Sequence, residues 1–405
     1  MAEASRLFRT AMLTVAWLMV LPCLLILAGA IFPVVPWFRI YAVNVVPNHT
    51  SWLFVWSIAA LLIGLLANQM RNTRSALGLI ATASFTLLAA ATVMLHLLYV
   101  AESHGARINV VRALQLRQFS DGAKPDESRI YSRLQGEDLW LDIYRPGNLA
   151  PGSLSPVMVA VHGGGFIEGS RKLGAANMRW YADHGWTVIS IDYRLARDNR
   201  PTWDLAVHDV ECALGWTAAN AQALRIDLNR VTLTGGSAGG SLAMTAAYSV
   251  NANRVTTNCG AKLPHIAAVI AKNPLIDVFG SWYFPGELRD QQRSYLTRYI
   301  GGPPEQYPDR YAAVDLRRLQ LPSNPPTLIV GGGADPLLPP ESASEFTRRA
   351  TAAGLDVKHI LWPYSGHDFN TTYTSITNQA MLQIAAQFMI DHKAGPEDTS
   401  LALVD

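Results

Sequence analysis

The chain has 405 residues, of which 50% are hydrophobic and only 16% are charged, against about 25% charged residues in an ordinary soluble domain. The formal net charge is +2 and Lys and Arg are not clustered, which excludes an extended nucleic-acid-binding surface. The three cysteines form neither a disulfide scaffold nor a metal-binding pattern with histidine. The sequence therefore predicts no metal, no cofactor and no nucleic-acid partner.

The N-terminal part of the chain is strongly apolar. Three stretches are uncharged, at residues 11–32, 51–70 and 75–101. Crossing a bilayer takes about 20 apolar residues, so residues 1–101 are predicted to be a transmembrane region of three helices. A cleaved signal peptide is an alternative for the first stretch, because Arg6 and Arg9 precede it and AGA at residues 28–30 resembles a cleavage site. The two further stretches favour a retained helix.

The arginines between these stretches predict the orientation. Arg6 and Arg9 precede the first span, Arg39 lies between the first and second, and Arg71 and Arg74 lie between the second and third. The positive-inside rule then places the N-terminus in the cytoplasm and the chain after the third span outside. Three arginines just after that span oppose this orientation, but long domains cross membranes largely regardless of charge. We expect a multi-pass protein of the cell membrane with an external catalytic domain.

Residues 102–129 are predicted to be a juxtamembrane segment and linker. In residues 102–119 arginines alternate with apolar residues, a basic amphipathic pattern typical of a segment that lies on the membrane surface. The same pattern fits a segment over the mouth of an active site. A linker helix packed on the following domain is an equal alternative.

Residues 130–394 have the composition of a soluble domain. Eight short strands are predicted, at residues 130–134, 139–144, 157–161, 187–191, 231–233, 267–271, 327–330 and 358–362. Helical patterns separate most of them, which predicts an α/β domain with a mostly parallel sheet and helices on both faces. Residues 395–405 are predicted to be a solvated tail.

A serine lies among glycines where an apolar strand changes to a helix. The sequence GGSAG at residues 235–239 matches the Gly-x-Ser-x-Gly pattern, in which a tight turn presents the serine hydroxyl at its tip. Ser237 is therefore the candidate nucleophile.

A second glycine-rich turn, VHGGGF, follows an earlier buried strand. Acyl transfer develops negative charge on the carbonyl oxygen, which preorganised N–H donors stabilise. Glycines let backbone N–H groups approach that oxygen without a side chain in the way. Gly163, Gly164 and the N–H of Ala238 are the candidate oxyanion hole, and His162 is expected to hold the loop.

Two late loops supply the remaining candidates. The sequences GGGADPLLP and YSGHDFN each follow an apolar strand and contain Asp335 and His367. With Ser237 they have the chain order Ser, Asp, His. His367 is the expected general base, and Asp335 is expected to orient its imidazole. Asp368 is a rival acid, although it is adjacent to His367.

Together these motifs resemble the α/β-hydrolase superfamily, in particular the hormone-sensitive-lipase-like carboxylesterases. The resemblance covers about residues 134–390 and includes HGGGF, DYRLA, HDVECALGW, GGSAGG, ADPL and GHDF. It implies an α/β-hydrolase fold with a cap, here at about residues 277–326, where aromatic residues are frequent. The three preceding spans resemble membrane-anchored esterases in architecture only.

The resemblance implies a membrane-anchored serine carboxylesterase or lipase that cleaves carboxylic esters through an acyl-serine intermediate. An acyltransferase, an amidase or a peptidase with the same triad is an alternative, as is a catalytically silent adhesion or sensor protein. The expected partners are a small-molecule or lipid ester and the bilayer, and no pattern indicates an oligomeric state.

Two further expectations concern the cysteines and the anchor. Cys212 and Cys259 would be able to pair in an external domain, but two unpaired buried thiols are the expected state. A chain that begins near Glu102 is expected to be soluble and to keep its activity on short esters.

Overall fold

The computed structural model describes residues 2–32, 36–70, 73–118, 122–134, 136–255, 259, 262–319 and 321–397. The chain divides into two compact units. The helical unit comprises Met1–Arg117 and Trp362–Ala380, and the sheet unit comprises Gln118–Leu361 and Met381–Asp405. Residues 362–380 thus belong with the N-terminal helices. Most of the predicted tail, residues 395–405, lies outside the described residues.

The helical unit contains three helices that are long and apolar enough to cross a membrane, as predicted. They are α1 (Ala2–Ile31), α2 (Pro36–Met70) and α3 (Arg74–Ser103). Helix α2 begins at Pro36, well before residue 51, where the predicted apolar stretch starts. The prediction missed the first half of the helix because that half carries polar residues, which lower its hydropathy. It is kinked, with Pro47 inside it and a non-helical backbone at His49 (φ −135°, ψ 18°).

Small side chains form much of the buried contact between these three helices. The buried cluster contains Leu13, Ala16, Val20, Ala60, Ala67, Ala76, Leu79 and Ala83. Small residues let helix backbones approach closely, which is how helices pack without a hydrophobic driving force. Arg9 adds a polar link from α1, since its Nε donates to the carbonyl of Ala67 at 3.2 Å.

The segment after α3 is not a helix along its length. Among described residues 104–118, only the 3₁₀ turn Arg112–Leu114 is helical, so the linker helix considered above is wrong. The turn is attached to α2, because the Trp52 indole Nε1 donates to the carbonyl of Leu114 at 2.9 Å. The amphipathic pattern reflects a turn with Ala113 buried and Val111 exposed.

The sheet unit is built on eight strands, and all eight predicted strands are confirmed. They are β1 (Glu127–Leu134), β2 (Glu137–Tyr144), β3 (Ser155–Val161), β4 (Thr187–Ile191), β5 (Ile226–Gly236), β6 (Ile266–Lys272), β7 (Thr327–Gly332) and β8 (Val357–Trp362). Their order is β1-β2-β4-β3-β5-β6-β7-β8. β1 and β2 pair antiparallel, as do β2 and β4, while β4, β3, β5, β6 and β7 are parallel.

Helices cover this sheet and form the insertion after β6. They are α4 (Ala175–Asp183), α5 (Ala206–Ala219), α6 (Ala221–Leu224), α7 (Ala238–Asn251), α8 (Val278–Tyr283), α9 (Arg289–Ile300), α10 (Pro308–Ala313), α11 (Pro340–Ala352) and α12 (Ile376–Asp391). Every residue of β3 and β4 is buried, which requires cover on both faces of the sheet. Helices α8, α9 and α10 fall within the predicted cap at residues 277–326.

The expectation of two unpaired thiols is wrong. Cys212 on α5 and Cys259 after α7 form a disulfide, with their Cα atoms 5.3 Å apart. The two cysteines are 47 residues apart in sequence, and only the packing of α5 beside α7 brings the two segments together. Sequence spacing carries no information about that contact.

Candidate active site

Ser237 lies at the turn between β5 and α7 with a backbone conformation that is rare for a side-chain-bearing residue. Its φ is 53° and its ψ is −124°. Such strained residues cost about 1–3 kcal/mol and cluster at functional sites. The backbone N–H of Ser237 donates to the carbonyl of Lys272 on β6 at 2.7 Å, which fixes the turn to the neighbouring strand. This is the strand-turn-helix geometry that the GGSAG pattern predicts.

A glycine is required directly after this turn. A Cβ atom at Gly239 would lie 2.2 Å from the carbonyl oxygen of Val161 and 2.4 Å from that of His162. The first turn of α7 therefore packs against the end of β3, where the VHGGGF sequence begins. The two glycine-rich motifs lie this close because Gly239 has no side chain.

The structure places Gly163 beside the serine turn of the sheet unit. A Cβ at Gly163 would lie 3.5 Å from the Cβ of Ser237, and Ala238 is the buried first residue of α7. Gly164 follows with φ +117°, and a Cβ there would lie 2.1 Å from the carbonyl oxygen of Glu168. Backbone N–H groups at a helix N-terminus favour negative charge, so this turn can stabilise an anion.

His162 is held in place, as expected for a structural residue. Its Nδ1 lies 2.7 Å from the carbonyl oxygen of Gly163, and its ring stacks on Tyr193 with centroids 4.4 Å apart. The Tyr193 hydroxyl donates to the His162 carbonyl at 3.1 Å. Burial lowers the pKa of the imidazole below its ordinary value, which keeps the ring neutral.

Asp335 lies on the loop after β7 and is only 4% exposed. Its Oδ1 accepts hydrogen bonds from the backbone N–H groups of Leu337 at 2.8 Å and Leu338 at 3.0 Å. These bonds hold the carboxylate in one orientation. Asp368, the rival acid, is exposed.

His367 lies on the loop after β8, and it belongs to the helical unit. Ser237, Asp335 and the candidate oxyanion residues belong to the sheet unit. The residues on either side of His367 are hydrogen-bonded to α2: the Gly366 N–H donates to the Val43 carbonyl at 2.8 Å, and the Asp368 carbonyl accepts from the Asn48 Nδ2 at 2.7 Å. No sequence motif indicated these α2 residues.

Lys272 is a second group that the sequence analysis did not single out. Burial lowers the pKa of its amine to about 8, and its Cε lies 3.6 Å from the position of a Cβ at Gly236. The Lys272 side chain therefore lies beside the strand end that precedes Ser237. In the sequence, Lys272 is recognisable only as a single lysine at the end of the apolar strand β6.

An apolar cavity of about 200 Å³ opens beside α7 in the sheet unit. Its lining includes Phe166, Val207, Ser241, Leu242, Leu275 and Tyr299. Ser241 is one helical turn after Ser237, and Tyr299 of α9 stacks on Phe166 of the VHGGGF sequence with centroids 3.7 Å apart. The cavity is thus bounded by the candidate oxyanion loop, the helix after the serine and the cap insertion. In the described part of the chain, no three His, Cys, Asp or Glu side chains are grouped to hold a metal ion.

The chain is similar to known esterases. Esterase LipC of Mycobacterium tuberculosis is 29% identical over 240 residues, which cover 57% of this chain and 57% of LipC. Ethyl acetate hydrolase of Pseudomonas putida is 27% identical, covering 62% of this chain and 81% of that protein. The solved structure of a Thermogutta terrifontis esterase, Est2 with propionate bound, has a TM-score of 0.54 and 26% identity, covering 67% of this chain and 95% of its own.

The match to LipC spans little more than half of that relative's length. The fold of these neighbours is the α/β-hydrolase fold, with the mostly parallel eight-stranded sheet described above. Residues 141–349, just over half of the chain, match the BD-FAE family. The chain therefore belongs to the BD-FAE family of α/β-hydrolases.

Proposed function

We propose that this protein is a carboxylic ester hydrolase with Ser237 as its nucleophile. The observation that carries the proposal is the strained turn at Ser237 between β5 and α7, with Gly163 beside it. The names of the similar proteins support the same reaction class. The catalytic domain is proposed to span residues 130–394, with the cap at residues 277–326.

In the proposed reaction, the Ser237 Oγ attacks the ester carbonyl carbon while the His367 imidazole accepts the hydroxyl proton. The carbonyl oxygen becomes an oxyanion that the N–H groups of Gly163, Gly164 and Ala238 stabilise. The intermediate then expels the alcohol, which takes the proton from His367, and leaves an acyl-serine. Water repeats the sequence and releases the acid. Asp335 orients the imidazole and stabilises its positive form.

The size of the apolar cavity supports short acyl groups as substrates. About 200 Å³ is below the roughly 300–1,000 Å³ of sites for drug-sized ligands. Two similar proteins are associated with short acyl chains. One is named ethyl acetate hydrolase, and the structure of the other has propionate bound. Small esters are therefore the proposed substrate class.

A panel of p-nitrophenyl esters tests this function with the detergent-solubilised full-length protein. We expect kcat/KM to be highest for the acetate, propionate or butyrate ester and to fall for the octanoate and palmitate esters, because longer chains exceed the cavity. A Ser237→Ala preparation provides the blank. Highest activity on palmitate would contradict the short-chain proposal, and equal turnover of a matched p-nitroanilide would favour an amidase. Transfer to an added alcohol in preference to water would favour an acyltransferase.

We also propose that α1, α2 and α3 cross the membrane and that the catalytic domain is external. Their length and hydropathy support three spans. The Cys212–Cys259 disulfide supports an oxidising compartment, because disulfides rarely persist in the cytosol. The arginines before α1 support a cytoplasmic N-terminus.

This topology makes a cell-fractionation prediction. The protein should stay in the membrane pellet after washes with high salt or carbonate and be released by detergent, because three apolar helices are embedded. Protease added to intact cells should cleave the catalytic domain, and a cytoplasmic marker protein should remain intact as the control. Cleavage only after permeabilisation would place the domain inside, and carbonate release would contradict the membrane spans.

A further inference from the structure

The loop that carries His367 is bonded to the kinked first half of α2. Pro47 lies inside this helix and has no backbone N–H, so the carbonyl of Val43 lacks its usual partner four residues later. The Gly366 N–H donates to that carbonyl at 2.8 Å. A helix bond that the proline removes is thus replaced by a bond to the residue before His367.

Asn48 continues this attachment one turn further. Its side chain is 4% exposed. The Asn48 Nδ2 donates to the Asp368 carbonyl at 2.7 Å and to the Asn44 carbonyl at 2.8 Å, and its Oδ1 accepts from the Thr372 N–H at 2.9 Å. The Asn44 Oδ1 also accepts from the Asp368 N–H at 3.3 Å. Backbone groups that follow His367 are therefore held by two asparagines of α2, and the Gly366 N–H before it is held by the Val43 carbonyl.

The contact is also close in steric terms. A Cβ at Gly366 would lie 2.6 Å from the Asn44 Oδ1 and 2.7 Å from the Val43 Cγ2, so a side chain before His367 would displace the side chains of α2 that the loop contacts. The Thr377 hydroxyl donates to the Phe369 carbonyl at 2.7 Å and lies 3.2 Å from the Pro47 carbonyl oxygen. The loop therefore meets α2 at its start, through its middle and at its exit into α12.

The length of α2 explains how a membrane helix can carry such polar groups. Its 35 residues span about 50 Å at roughly 1.5 Å per residue, which exceeds the ~30 Å hydrocarbon core of a bilayer. Part of the helix must project beyond the core. The projecting part is the first half, which carries Asn44 and Asn48, because the apolar stretch at residues 51–70 is by itself long enough to span the core.

We propose that residues 43–48 of α2 position His367, with Asn48 as the principal positioning residue. The inference rests on the proposed function, in which His367 is the general base. Loss of the Asn48 side chain would leave the buried Thr372 N–H and the Asp368 carbonyl without these partners, and the loop would move to recover hydrogen bonds. A general base displaced by about 1 Å costs about 10²-fold in rate.

This role reverses the expectation for a shortened chain. A chain that begins near Glu102 lacks Val43, Asn44 and Asn48, so the His367 loop loses the hydrogen bonds that hold it. Such a chain is expected to lose turnover even on short esters. The helices are then a structural part of the catalytic site as well as an anchor.

Asn48→Leu in the full-length protein tests the inference. Leucine has the same branched arrangement of four side-chain heavy atoms as asparagine but cannot make the three hydrogen bonds. We expect kcat on p-nitrophenyl acetate to fall by about 10–100-fold with KM unchanged, the pattern of a lost transition-state interaction. Ser57→Ala is the matched control, because Ser57 is buried on α2 and its hydroxyl bonds only to the Leu53 carbonyl of its own helix among the bonds described. It should keep wild-type kcat.

Pro47→Ala keeps the test informative if Asn48→Leu folds poorly. Alanine restores the N–H at position 47, which competes with Gly366 for the Val43 carbonyl, and it removes a helix-breaking residue. We expect a lower kcat without a lower Tm, a combination that a merely structural role does not produce. Wild-type kcat in a folded Asn48→Leu protein, or in Pro47→Ala, overturns the inference.

Amide hydrogen exchange separates this inference from the proposed function. In a Ser237→Ala background, Asn48→Leu should raise the exchange rates of the Gly366, Asp368 and Thr372 amides, and Ser57→Ala should not. Unchanged exchange overturns the inference even if the esterase proposal holds. Full turnover by His367→Ala overturns the role of His367 even if the loop is bonded as described.

Discussion

Replacing Ser237 by alanine is expected to abolish ester turnover and labelling by a fluorophosphonate probe. The side chain is the only covalent participant in the proposed reaction, and loss of a serine nucleophile costs about 10⁶-fold in kcat in the best-studied triads. The residual rate would come from the oxyanion donors and substrate binding alone. Turnover of p-nitrophenyl acetate and in-gel labelling of the full-length protein measure the effect.

The variant should fold normally, because alanine has a Cβ like serine and leaves the backbone at φ 53° no more strained than before. A Tm close to that of the wild type is the control. Probe labelling of Ser237→Ala at the wild-type rate would show that Ser237 is not the nucleophile.

His367→Ala should lose nearly as much activity as Ser237→Ala, because the members of a triad act as one unit. Asp335→Asn should cost about 10⁴-fold, since the amide no longer stabilises the correct tautomer of the base. The amide oxygen can still accept the bonds from Leu337 and Leu338, so the loop itself should be preserved. Stopped-flow or plate-based esterase kinetics measure both variants.

Asp368→Asn is the matched control for the choice of acid. Asp368 is adjacent to His367 in sequence but exposed, and its N–H and carbonyl are the groups bonded to α2. Its side chain is therefore expected to be dispensable for turnover. A wild-type rate for Asp335→Asn together with a large loss for Asp368→Asn would show that the acid was assigned to the wrong residue.

Local patterns in the sequence predicted most of the elements of both units. Continuous apolar, β-branched runs predicted the strands at residues 157–161 and 187–191, because strands buried on both faces need apolar residues at successive positions. The uncharged runs predicted three membrane-length helices. The glycines around Ser237 and at Gly163 and Gly164 predicted the turns there, because a turn imposes steric limits that only small residues meet.

Contacts between distant segments were not predictable in the same way. The Cys212–Cys259 disulfide depends on the packing of α5 beside α7, which no spacing of residues encodes. The burial that lowers the pKa of Lys272 depends on neighbouring strands and loops. The first half of α2 was not recognised as helical because its asparagines and proline reduce the hydropathy on which the membrane pattern relies.

The sequence by itself determined the α/β-hydrolase class, the serine turn and the three long apolar helices, because each is a short-range pattern whose chemistry is local. Only the tertiary structure decided that the loop of His367 is bonded to α2. That contact joins Asn48 to Asp368 and Thr372 across more than 300 positions of sequence. The side-chain amide of an asparagine in a helix can bond to backbone groups of many different segments. Only the folded structure decides which segment lies next to it, here the loop of His367.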